Sequence, residues 1–305
     1  MLQYLLMLDL SIVIVNYNTR DLLRDCLRSL FASEGDFTYQ VTVVDNHSQD
    51  GSAAIVRREF PQVHLLENPE NVGYAQANNQ GLKSRKARYY LLLNPDTVLP
   101  PEALSGMLSF MEEHPKVGIA GPKLVMADGR LDLACRRSFP TPEVSFYRLS
   151  GLSRLFPQSK RFGRYNLTYL DPDQVAEVES VVGAFMMIRR ETLEEVGYLD
   201  EEFFLYGEDL DFAYRAKKVG WKVYYNPRVT VLHYKRRSTS QNRKRARHEF
   251  YRAMHLFYRK HYAETTPLWL HWLVMAGILL PGGTAMVQEV LRPSGDSKQV
   301  REVVS

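Results

Sequence analysis

Residues 11–31 read SIVIVNYNTRDLLRDCLRSLF. The apolar run that follows Ser11 and is broken by Asn16-Tyr17-Asn18-Thr19 suits a strand buried on both faces. Leu22, Leu23, Cys26, Leu27, Leu30 and Phe31 then recur on one helical face, with Asn18 placed to cap the helix and Asp21 in its first turn. A strand feeding a helix through a short polar turn is the unit of an α/β fold, and it repeats along the chain. Strands are expected at 41–44, 63–66, 89–93 and 117–125, and helices at 52–60, 74–86 and from Pro101 onward, with a tight turn at Asp128-Gly129. The alternation predicts a mostly parallel sheet flanked by helices.

Residues 136–178, rich in proline and scattered aromatics, read as a loop-rich insertion. Regular structure resumes with a strand at 181–188, a short helix at 191–196, a helix at about 208–219 stopped by Gly220, and two strands at 223–225 and 229–234. The 305 residues exceed what a disulfide-stapled scaffold needs, and 45% hydrophobic with 24% charged residues excludes a disordered chain and a multi-span membrane protein. Cys26 and Cys135 stand far apart, form no metal-type pair, and point to a reducing, cytoplasmic compartment. The N-terminal MLQYLLMLDL lacks the basic region and cleavage site of a signal peptide.

In an open parallel sheet, ligands bind beyond the carboxyl ends of the strands. Those ends are polar here: Asn16-Tyr17-Asn18-Thr19, then Asp45-Asn46-His47-Ser48-Gln49-Asp50-Gly51-Ser52, then Asn94-Pro95-Asp96-Thr97. Each alone is explained by turn chemistry; their recurrence on one sheet edge is the functional signal. Four ordered stretches, VVDNHSQDGS, NVGYAQANNQGL, LLLNPDTVL and FFLYGEDLDFAYRAKKVGW, together resemble inverting family 2 glycosyltransferases of the GT-A (Rossmann-like) fold. The similarity runs over about residues 9–235, nearest to the rhamnosyltransferase-like enzymes of bacterial cell-surface polysaccharide assembly.

The resemblance implies a nucleotide-diphosphate sugar as donor, a dTDP- or UDP-sugar. Asp45 would accept from the N3–H of the base, with Asn16, Asn18, Asn46 and Ser48 around it. Asn71, Gly73, Tyr74 and Asn78 would form the nucleotide-side loop and helix start, Gly73 needing positive φ or close ligand approach. Asp96 would hold a divalent cation, Mg²⁺ or Mn²⁺, and His233 reads either as a second ligand or as a packed histidine. The family's first carboxylate in this motif is here the amide Asn94, so the metal site carries less charge. Asp209 would be the base that takes the acceptor proton, kept ionised at a helix start beside a cation, with Glu208 orienting acceptor or base. Asp211 is placed to pair with Arg215 on the helix face. Gly183 and Ala184 either leave room for a sugar ring or belong to a tightly packed strand.

The acceptor implied is a glycan or a polyprenyl-diphosphate-linked sugar. Between Lys235 and Lys260 stand ten cations and one acid, Glu249, followed by the apolar LWLHWLVMAGILL at 268–280, too short for a span. Residues 236–305 therefore read as a basic, amphipathic helical tail on a catalytic domain of residues 1–235, resting on an anionic membrane surface at the inner face of the cell membrane. No nucleic-acid module accompanies the basic stretch. Two alternatives remain in the residues: a nucleotidyltransferase, disfavoured by the absence of glycine in 11–20, and a non-catalytic sugar-nucleotide-binding scaffold, which the amide at Asn94 keeps open.

Overall fold

The computed structural model describes residues 7–235, 243–283, 286, 287 and 290. Most of the N-terminal apolar stretch and residues 236–242 of the basic one lie outside the described residues.

The first half follows the alternating pattern. β1 (Leu8–Asn16), β2 (Tyr39–Asp45), β3 (His64–Glu67) and β4 (Ala87–Leu93) are separated by α1 (Arg20–Phe31), α2 (Ser52–Glu59) and α3 (Tyr74–Ser84). They pair in parallel in the order β3-β2-β1-β4. Crossover helices cover the strands, so Leu10 to Ile14 and Leu91 to Leu93 have almost no solvent exposure. Leu23, Cys26, Leu27 and Leu30 form the buried face of α1, as their spacing predicts. Asn18 does not cap that helix. It adopts a left-handed backbone (φ +52°), Thr19 takes the cap position, and the Asn18 side chain accepts from the Gln49 N–H at 2.7 Å. Its oxygen is drawn away to the neighbouring strand-end loop.

Beyond β4 the sheet becomes mixed. β5 (Thr97–Val98), α4 (Ala103–Glu113), β6 (Val117–Val125), α5 (Pro142–Leu149), α6 (Leu152–Leu155), β7 (Ala176–Val178), β8 (Phe185–Arg189), α7 (Arg190–Val196), α8 (Glu208–Lys218) and β9 (Lys222–His233) follow in chain order. β8 inserts antiparallel between β4 and β6, while β9 runs parallel to β6 and antiparallel to β5 and β7. Two expectations change. The strand expected from Val181 starts only at Phe185, because Gly183 turns its N–H and C=O toward other side chains. The two strands expected between 223 and 234 are one, with Pro227 accommodated where the β6–β9 register shifts between Asn226 and Thr230.

The proline-rich insertion contains α5 and α6 and ends in β7, with irregular chain between them. α9 (Arg243–His261) and α10 (Leu268–Gly282) complete the described chain. α9 does not stand apart: Ala253, Leu256 and Phe257 are buried in the same core as the sheet. α10 buries Met275 and Ile278 but leaves Leu268, Trp269, Trp272, Leu273 and Leu280 between 60% and 82% exposed. Among the described residues no helix is long and apolar enough to cross a membrane.

Candidate active site

The carboxyl ends of β1 and β2 lie side by side, Asn16 in register with Asp45. Asn16 Nδ2 donates to Asp45 Oδ1 (2.9 Å) and Ser48 Oγ (3.0 Å), and its Oδ1 accepts from the Thr19 hydroxyl (2.6 Å). Asp45 Oδ2 accepts from the Ser48 N–H (2.9 Å). The carboxylate is thus oriented by two donors while keeping acceptor capacity for a third. Asn46 is fully engaged: it donates to Asn71 Oδ1 (2.9 Å) and the Gly73 carbonyl (3.2 Å), and accepts from Asn68 Nδ2 and the Val72 N–H. Its job is to hold the 71–73 loop. Gly73 has φ +91°, and a Cβ there would stand 2.8 Å from the Phe204 carbonyl, so both the conformation and the space demand glycine.

That loop delivers Tyr74 to the middle of the site. Its hydroxyl lies 2.9 Å from Asn94 Oδ1 and 3.1 Å from the Gly183 carbonyl. Burial, and then the nearby carboxylates of Glu208, Asp209 and Asp96, push the phenol well above its ordinary range. Asn78, one turn along α3, donates to the Tyr74 carbonyl and leaves its buried Oδ1 without a hydrogen bond.

Asp96 owes its place to sheet register. Thr97 pairs with His233 across β5 and β9, and the Tyr234 N–H donates to the Asp96 carbonyl at 2.9 Å, which brings the two side chains together. His233 Nε2 lies 3.3 Å from Asp96 Oδ1, yet that buried oxygen makes no hydrogen bond. His233 Nδ1 is 2.9 Å from Asp132 Oδ2, and Lys235 also pairs with Asp132. Burial opposes a charge on His233, but Asp132 and Asp96 outweigh it and push the imidazole up to about 9. Two carboxylates flanking one imidazole call for positive charge; the orphaned oxygen, the adjacent ring nitrogen and the orienting carboxylate behind it fit a divalent cation. Among the described residues no group of three or more such side chains could hold a metal by itself. Phosphate oxygens of a ligand would have to complete the shell.

The second acidic group sits at the start of α8. Tyr206 (φ +71°) and Gly207 (φ +86°) are both left-handed, an abrupt turn that drops Glu208, Asp209 and Asp211 into the buried first turn. Asp209 Oδ2 accepts from Arg137 Nη2 (2.7 Å) and the Gly183 N–H (3.0 Å), and Oδ1 from the Leu210 N–H (2.7 Å). Glu208 Oε2 is buried without a hydrogen bond, and burial plus the adjacent Asp209 charge pushes its carboxyl up to about 8. Asp211 turns away and pairs with Arg215 (2.8 Å), as its spacing predicts. A continuous path links the Asn94-Pro95-Asp96 turn to the second acidic group: Asn94 to Tyr74, Tyr74 to Gly183, Gly183 to Asp209. A Cβ on Gly183 would lie 3.5 Å from the Tyr74 hydroxyl and 3.7 Å from Asp209 Cβ, so the missing side chain leaves room between them.

Sequence reasoning missed Arg137 and Asp132. Both lie in or beside the proline-rich stretch; Asp132 is marked locally only by its apolar neighbours Leu131 and Leu133, and Arg137 by nothing that sets it apart from Arg136. Their partners are 72 and 101 residues away.

Comparison with known proteins bears on the family and the fold. A family model described as "Glycosyltransferase like family 2" matches residues 9–251. The N-acetylglucosaminyl-diphospho-decaprenol L-rhamnosyltransferase of Mycobacterium tuberculosis is 27% identical over 245 residues, covering 76% of this chain and 78% of that protein. The low-salt glycan biosynthesis hexosyltransferase Agl10 of Haloferax volcanii is 28% identical over 214 residues, covering 69% and 62%. Among solved structures, the mannosyltransferase PcManGT of Pyrobaculum calidifontis with GDP-Man and Mn²⁺ superposes with a TM-score of 0.56 at 18% identity, over 94% of this chain and 76% of that one. GalNAc-T7 with UDP, GalNAc and Mn²⁺ gives 0.55 at 16% identity over 75% and 44%. These likenesses establish the GT-A type of fold. The family match runs from the first strand into α9, and on that extent the chain belongs to glycosyltransferase-like family 2.

Proposed function

We propose that this glycosyltransferase is inverting and metal-assisted, and that it moves a sugar, rhamnose in the first instance, from a dTDP- or UDP-sugar to a hydroxyl of a glycan or polyprenyl-diphosphate-linked acceptor in cell-surface polysaccharide synthesis. The observation that carries the reading is the path from Asn94 through Tyr74 and Gly183 to Asp209, which ties the turn that holds Asp96, two residues after Asn94, to the acceptor-side acid. The donor sugar and lipid-linked acceptor are supported by the name of the mycobacterial relative.

In this reading Asp45 receives the N3–H of the base, oriented by Asn16 and the Ser48 N–H. A divalent cation bound at Asp96 and His233 would neutralise the charge that grows on the departing diphosphate. Tyr74 stands beside Asn94 and packs the wall between donor and acceptor. Asp209 takes the proton of the attacking hydroxyl on Oδ1, which among the described residues accepts from the Leu210 N–H alone, while Arg137 and the Gly183 N–H hold Oδ2 still. The acceptor oxygen bonds to the anomeric carbon as the bond from that carbon to the diphosphate oxygen breaks, its electron pair leaving with the nucleotide. Glu208, protonated near neutral pH, donates a hydrogen bond that orients a sugar hydroxyl. The exposed tryptophans of α10 and the basic residues before it support attachment to an anionic membrane at the cytoplasmic face.

Asp209→Asn tests the core of this scheme. Transfer should collapse while UDP or dTDP with Mn²⁺ still raises the melting temperature; retained transfer would remove Asp209 from its role. A thermal-shift panel of nucleotide sugars with and without Mg²⁺ or Mn²⁺ identifies the donor.

A further inference from the structure

The insertion of residues 136–178 carries an apolar surface that the reaction scheme leaves unused. α5 is capped by Thr141, whose hydroxyl accepts from the Val144 N–H, and Gly151 (φ +83°) turns the chain into α6. The hairpin packs by its inner side on neighbouring residues of the same insertion. Val144 and Tyr147 are buried, Tyr147 meets Phe162 edge-on at 4.9 Å, and its hydroxyl bridges Glu143 and Arg161 Nε (2.7 Å). The outer side is the reverse of what a soluble surface favours: Phe146, Leu149, Leu155 and Phe156 are 61%, 50%, 72% and 52% exposed. Arg148, Arg154 and Lys160 are exposed among them. The one acid between residues 142 and 164, Glu143, is held by Tyr147 and Arg161.

We propose that the α5–α6 hairpin inserts into the interface of an anionic lipid bilayer, as a second contact separate from α10. Two arguments choose that occupant. Apolar side chains rimmed by cations match a surface of acyl chains under anionic headgroups, whereas an apolar protein groove would give the arginines nothing to pair with. The root of the hairpin also stands next to both the reaction centre and the C-terminal helices. Arg137 holds Asp209, while the Phe139 ring lies 6.4 Å from that of Phe257 on α9, the helix that leads to α10 and its exposed tryptophans. A bilayer touching the hairpin would therefore present its headgroup region close to the acceptor-side acid. That last consequence rests on the proposed function, since it matters only if the acceptor is lipid-linked; bilayer docking itself does not.

The test is co-sedimentation of the full chain with vesicles of phosphatidylglycerol and phosphatidylcholine, and with phosphatidylcholine alone. Replacing Phe146, Leu149, Leu155 and Phe156 together by serine should lower binding by at least about tenfold, in proportion to the apolar surface withdrawn from the interface. Because these side chains are at least half exposed, the melting temperature should fall only slightly, through the lost ring contacts of Phe146 with Tyr147 and of Phe156 with Phe162. The combined variant Arg148→Gln, Arg154→Gln, Lys160→Gln should lose the preference for phosphatidylglycerol. Unchanged sedimentation of both variants would overturn the proposal. So would a change confined to self-association in sedimentation velocity, which would make the patch a contact with a second copy. UDP- and dTDP-induced thermal shifts in Mn²⁺, measured on the same variants, separate the two readings. Shifts that persist while vesicle binding never occurs would leave the glycosyltransferase scheme standing without the hairpin contact.

Discussion

Glu208 and Asp209 are neighbours in sequence with opposite surroundings: one carboxylate has a guanidinium and two backbone donors, the other a buried oxygen with no hydrogen bond. Burial and the neighbouring Asp209 charge raise the Glu208 carboxyl, which is how one site can obtain a proton donor beside a carboxylate. The sign for stability follows from the raised Glu208 value of about 8. The folded chain keeps a proton that the unfolded chain releases above the ordinary glutamate range, so this contribution is whole at acidic pH and is lost as pH rises through about 8. Glu208→Gln should therefore melt higher than the parent at pH 9, and their difference should shrink toward pH 5, as differential scanning fluorimetry would read. Arg137→Ala strands the buried Asp209 charge. It should cost about 3–5 kcal/mol in urea unfolding, and the loss should be smaller when Asp209 is also replaced by alanine.

At the scale of elements, two long-range contacts build the site. The pairing of β5 with β9 puts Asp96 against His233, and the side chain of Asp211 couples α8 to α9. His261 Nε2 (2.7 Å), Lys260 Nζ (2.8 Å) and Arg215 Nε (2.8 Å) surround that carboxylate. Burial opposes its ionisation, yet His261, Arg215 and Lys260 hold it down at about 2. A depressed carboxyl contributes stability that is complete above the ordinary aspartate range and is lost as pH falls through about 2. Asp211→Asn should lower stability by about 2 kcal/mol near neutral pH, and the gap to the parent in urea midpoints should close between pH 4 and 2. A gap independent of pH would mean that packing rather than charge joins the two helices.

At the scale of the whole molecule, the C-terminal helices divide into a part that belongs to the body and a part that faces outward. Leu256 and Phe257 of α9 are buried in the core, at about 1.5–3 kcal/mol for each fully buried side chain. Ending the chain after residue 242 should thus lower the melting temperature far more than ending it after residue 266, which removes α10. Equal losses would place the stabilising contacts in α10 instead. Deleting everything after residue 235 is accordingly a poor probe of membrane attachment, and point changes at Trp269 and Trp272 are a cleaner one.

Much of this was legible in the residues because it is local. Helical and strand periods locate the parallel half of the sheet, turn-forming Asn, Asp and Gly mark the strand ends, and those ends hold Asp45, Asn94 and Asp96. Short-range rules also foresee the pairing of Asp211 with Arg215 and the positive φ of Gly73. The rest depends on what meets across the fold. No local pattern announces that β8 enters antiparallel between β4 and β6, that β9 runs on past Pro227, or that Asn46 spends its hydrogen bonds on a loop rather than a ligand. Nor does any pattern select Arg137 for Asp209 or Asp132 for His233. The sequence by itself determined the strand–helix alternation and the chemistry available at its edges, since both follow from each residue's own backbone and side-chain preferences. Tertiary structure alone decided which acid received a guanidinium and which kept a buried oxygen without a hydrogen bond, because that depends on burial and on groups brought near from distant parts of the chain.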